Sequence, residues 1–169
     1  MWWSRLVLLG LFVLAGCGWQ PLYGRNSSGE GGDAAPQLAT VHIQPIADRT
    51  GQQLYNMLRD RMNPQGVPAD PQYDLVVTLK EQAVQQLIQQ NQTASRINLN
   101  FTASYQLFPR GQQAAVFQGQ ARTTTSYDLL VDPYASVVSA DDAKRRGAQS
   151  LADEISNRLA AFLAQPSSS

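Results

Sequence analysis

Two groups of residues in this sequence have the types and spacing to do chemistry. The first is Cys17, the only cysteine in the chain, which closes Leu14-Ala15-Gly16-Cys17. A thiol behind two small residues and a short apolar run has the layout of a bacterial lipobox. Small side chains at 15 and 16 let the backbone enter a peptidase cleft. The thiol takes a diacylglycerol, and cleavage before it leaves Cys17 as the N-terminus, an N-acyl diacylglycerol cysteine. The second group is cationic: Lys80, Arg96 and Arg122, with Arg110 in a turn. Such cations among amides and hydroxyls make charge-assisted hydrogen bonds to phosphate.

Little else has the spacing that catalysis needs. His42 is the lone histidine and falls on the polar side of its strand. A metal site would need further ligands at suitable spacing, and a Ser-His-acid arrangement would have to use His42. The pairs Asp141-Asp142 and Asp153-Glu154 are neighbours in sequence, which do not face each other on a helix. They act on solvation and on the helix dipole. Gly29-Glu30-Gly31-Gly32 follows no strand and opens no helix, so it is a poor phosphate loop. We expect no catalytic residues, no metal and no enzyme. With 13 basic and 13 acidic residues the formal charge is +0, and losing Arg5 with a leader makes it −1. A near-neutral chain is not a general nucleic-acid binder.

The elements that position these residues follow from periodicity. Residues 1–16 read as a lipoprotein signal peptide: Arg5, then an apolar run from Leu6 to Leu14, too short to span a bilayer. Gly18 at the second mature position points to the outer membrane. Residues 17–37 read as a lipidated N-terminus and flexible tether, rich in Gly and Ser from Arg25 on. A single domain is expected over 38–164, with a disordered tail at 165–169.

Within that domain, Leu38 to Pro45 alternates as a strand around Val41 and Ile43. A helix capped by Asp48 or Thr50 is expected to run to about Met62, with Leu54, Tyr55, Leu58 and Met62 on its apolar face. Tyr73 to Leu79 alternates, while the glutamine-rich 82–92 fits strand or helix. Ile97 to Leu107 is the clearest strand. Phe117 to Tyr127 is its partner, and small residues at 119 and 121 mark close packing. The last helix starts at a Ser139–Asp142 capping box or earlier, near Tyr134, and carries a stripe from Ala148 to Leu163. The order β-α-β-β-β-α predicts an α+β fold: two helices on one face of a four-stranded mixed sheet.

In every strand the apolar residues are odd-numbered, so the even positions share the opposite face. That face holds Lys80, Arg96 and Arg122, with Asp74 as its one carboxylate. It reads either as an ordinary solvated sheet face or as a surface for a polar, anionic partner.

Three stretches resemble the lipopolysaccharide-assembly lipoprotein family (LptE) in its alphaproteobacterial form. They are "LAGCGWQPLYG", "YDLVVTL" at 73–79 and the terminal "DDAKRRGAQSLADEISNRLAAFLA". The order of elements fits over nearly all of the chain after Cys17. The resemblance implies an outer-membrane lipoprotein facing the periplasm, with no cofactor beyond its lipid. It implies partnership with the large assembly barrel LptD, as a plug partly inside it, and contact with lipopolysaccharide. Trp19, Leu22 and Tyr23 would then rest at the headgroup level or against a barrel wall. The main rival is a lipoprotein subunit of an ABC-type lipid transport system.

Overall fold

The structure is a computed structural model that describes residues 34–86, 95–129 and 132–165. The signal-peptide reading, Cys17, Trp19, Leu22 and Tyr23 lie outside the described residues. The elements are α1 (Ala34–Leu38), β1 (Val41–Ile43), α2 (Arg49–Met62), β2 (Tyr73–Gln86), β3 (Ser95–Pro109), β4 (Phe117–Leu129) and α3 (Pro133–Leu163). The strands lie in the order β1-β2-β3-β4. β1 is parallel to β2, and β2, β3 and β4 form an antiparallel meander. The α+β fold and the mixed four-stranded sheet are as the periodicity predicts.

The odd-even split of the strands builds the core. Leu75, Val77, Leu99, Phe101, Ala103, Tyr105, Leu107 and Ala121 are buried on one face. Leu54, Leu58 and Met62 of α2 close over that face together with Ala148, Leu151, Ala152, Ile155 and Leu159 of α3. Burial of this apolar area is the main favourable term in folding. Asn63 ends α2: its backbone N–H donates to Arg59 O, and its buried side-chain amide donates to Ala39 O at 3.2 Å.

Several boundaries differ from expectation. Residues 34–37, read as tether, begin the short helix α1, which packs against α3. Neither Asp48 nor Thr50 caps α2 through its side chain. Asp48 sits at φ 68°, and the Thr50 hydroxyl donates to Glu81 Oε2 at 3.0 Å instead. β2 continues as strand to Gln86, and 87–94 are not described. Of the two starts expected for α3 the structure takes the earlier, near Tyr134: the helix begins at Pro133, and Ser139 lies inside it. Asp132 caps it, its carboxylate accepting from Tyr134 N at 2.9 Å, with Pro133 in the first turn where its missing N–H costs nothing.

Candidate functional site

The candidate site is the sheet face turned away from the helices. Register decides which cations meet there. Thr102 of β3 pairs with Lys80 on one side and with Arg122 on the other. Lys80 and Arg122 therefore flank Thr102 in one cross-strand row, about 10 Å apart at their backbones. Both are exposed, and neither has a carboxylate partner among the described residues. Arg122 Nη2 donates to Gln120 Oε1, and Gln120 Nε2 donates to Ser104 Oγ at 3.3 Å. Thr124 Oγ1 donates to Asn100 Oδ1 at 2.8 Å on the same face.

The structure does not bring Arg96 or Arg110 into this row. Arg96 lies six residues along β3 from Thr102, about 20 Å away. It faces Asp128, with Nε donating to Oδ1 at 2.8 Å. That hydrogen bond holds the Asp128 carboxyl below its ordinary value. Asp128 overturns the expectation of a single carboxylate on this face: β4 runs on to Leu129, so position 128 still alternates outward. Arg110 follows the other end of β3, where its backbone N–H donates to Gln72 O. Asp74, the carboxylate that was expected, lies within hydrogen-bond distance of His42, Oδ1 to Nδ1 at 2.9 Å, across the β1–β2 pair.

The acidic pairs on α3 face different partners, as their spacing requires. Asp141 and Asp153 reach α2 through Arg49 at 3.8 Å and Arg61 at 2.7 Å. Asp142 pairs with Arg145 and Arg146, and Glu154 with Arg158, within α3. Sequence neighbours diverge by about 100° around a helix, so no two of these carboxylates work together. Among the described residues no group of three metal-ligating side chains converges, and no helix is long and apolar enough to cross a membrane.

A polar, cation-bearing sheet face backed by two helices defines a small binding domain. Among the described residues its closest groups are the cations, amides and hydroxyls of that face. The lipopolysaccharide-assembly family LptE matches residues 38–161, and the chain belongs to that family. It is a family of lipoproteins in lipopolysaccharide assembly and is not enzymatic. No curated protein sequence matches the chain. Among solved structures, a protein of Caulobacter crescentus CB15 assigned as a lipoprotein is similar, with a TM-score of 0.66 at 22% identity. The match covers 79% of this chain and 97% of that one. A minor lipoprotein from Acinetobacter baumannii aligns with a TM-score of 0.53 at 15% identity, over 72% and 92% of the two chains. At these identities the likeness is one of fold.

Proposed function

We propose that this chain is an outer-membrane lipoprotein of lipopolysaccharide transport, anchored by acyl chains on Cys17 and facing the periplasm. It partners the assembly barrel LptD, as a plug partly inside it, and contacts lipopolysaccharide. Family membership supports the role and favours it over an ABC-transporter lipoprotein. The observation that carries the ligand contact is the row Lys80–Thr102–Arg122, two cations around a hydroxyl with no carboxylate partner among the described residues. Phosphate takes charge-assisted hydrogen bonds from such cations, which are roughly twice as strong as neutral ones. Trp19, Leu22 and Tyr23, next to the anchor, supply the membrane or barrel contact.

The test is lipopolysaccharide binding by Lys80→Glu with Arg122→Glu over a salt series. Affinity should fall about tenfold or more, while the melting temperature stays put, because exposed substitutions usually cost within about 0.5 kcal/mol. Wild-type binding should itself weaken with salt. Arg59→Glu with Arg145→Glu makes the same change in net charge on the helix side and should leave binding intact. Equal affinity in the sheet-face variant and the wild type would remove this face from the mechanism. Detergent co-purification with the barrel tests the partnership.

A further inference from the structure

The outer face is not flat beside its cations. Val76, Thr78, Ser104, Gln106, Gln118 and Gln120 line a hollow of about 450 Å³. It spans two cross-strand rows, Val76–Gln106–Gln118 and Thr78–Ser104–Gln120. The row of Lys80, Thr102 and Arg122 comes next, two residues further along the strands, or about 7 Å. Arg122 turns back toward the hollow, because its guanidinium donates to the Gln120 side chain. Gln120 in turn donates to Ser104, so one wall of the hollow is tied to the cation. The side chains of Thr78, Gln106 and Gln118 keep their polar groups free among the described residues.

We propose that this hollow is a saccharide site, which seats a sugar of an anionic glycan while the glycan's phosphate lies on Lys80 and Arg122. A sugar hydroxyl both donates and accepts. Carboxamides and side-chain hydroxyls offer both functions, and here they surround one depression. Val76 adds an apolar patch against which the C–H face of a sugar ring can pack. The cations in the next row favour an anionic glycan over an uncharged acyl chain, which would leave them without a partner. The inference rests on the lipopolysaccharide contact proposed above, and narrows it to the phosphorylated glycan end of the lipid.

Three probes separate the sources of binding: intact lipopolysaccharide, its fully deacylated phosphorylated saccharide, and phosphatidylglycerol micelles, which are anionic but carry no sugar. Two variants act on the hollow. Ser104→Leu fills it, and Gln106→Ala with Gln118→Ala removes amides without adding bulk, so a folding defect in the first leaves the second to decide. Each should lower affinity for the deacylated saccharide about tenfold, the equivalent of one or two lost hydrogen bonds. Binding to phosphatidylglycerol micelles should be unchanged in both, and should fall in Lys80→Glu with Arg122→Glu. Saccharide affinity equal to wild type in the double alanine variant overturns the saccharide site and leaves the lipopolysaccharide contact standing. So does a wild-type protein that binds intact lipopolysaccharide but not its saccharide. A wild type that binds no lipopolysaccharide at all overturns both.

Discussion

At the scale of the residue, two aromatic rings of β3 are held by glycines. A Cβ on Gly147 would lie 2.5 Å from Phe101 Cε2, and one on Gly119 would lie 2.4 Å from the Tyr105 hydroxyl. Alanine in place of Gly147 gains up to about 1 kcal/mol of helix propensity. Overpacking a filled core costs about 1–3 kcal/mol, and Phe101, at 1% exposure, has no room to swing aside. The clash should win. We expect Gly147→Ala to lower the melting temperature by about 2–4 °C and Phe101→Leu to restore part of it. Additive losses in the double variant would show that the two residues do not oppose each other. The small residues at 119 and 121 were legible as close-packing positions because they interrupt an alternation of larger side chains. Gly147 was not, since a helix of mixed small residues gives no such contrast. Lys80 and Arg122 were assigned to one face by parity, but parity does not set register. Only the pairing of β3 with both neighbours places them around Thr102 and sends Arg96 to Asp128.

At the scale of the element, the edge of β4 is guarded by α3. Arg158 Nη1 donates to Gln120 O at 2.9 Å and Arg146 Nη2 to Ser126 O at 3.2 Å. Two carbonyls that would otherwise template another strand are thereby occupied, which is how sheets avoid edge-to-edge association. Arg146→Ala with Arg158→Ala, in a chain lacking residues 1–31, should self-associate at concentrations where the parent is monomeric. Sedimentation velocity reads this, and a monomer at every concentration would contradict it. The helices themselves were readable from their apolar stripes. Residues 82–86 were not, because that part of β2 is exposed on both faces and nothing there requires alternation. The helix at 34–38 is too short to show a period. The start of α3 was legible as the earlier of two alternatives, near Tyr134, because Asp132-Pro133 precedes it; the Ser139–Asp142 pair inside the helix was the competing one.

At the scale of the molecule, the described core draws on side chains from Val41 to Leu163, with Leu38 packed against it. Cys17→Ala should abolish incorporation of labelled fatty acid and release the protein from the outer membrane while its melting temperature is unchanged. Label retained on the variant would sink the anchor assignment. Two or more acyl chains hold far more firmly than one, and the anchor would join the domain through the tether and α1. That makes the brevity of β1 a mechanical matter. β1 has three residues, and its pairs join positions such as Val41 and Tyr73, whereas β2, β3 and β4 are zipped along nearly their full lengths. Under the proposed anchoring at Cys17, a pull along the chain would meet α1 and the short β1 before the meander. Were Cys17 so held, the three pairs of β1 would give before the long pairings of the strands that carry Lys80, Thr102 and Arg122.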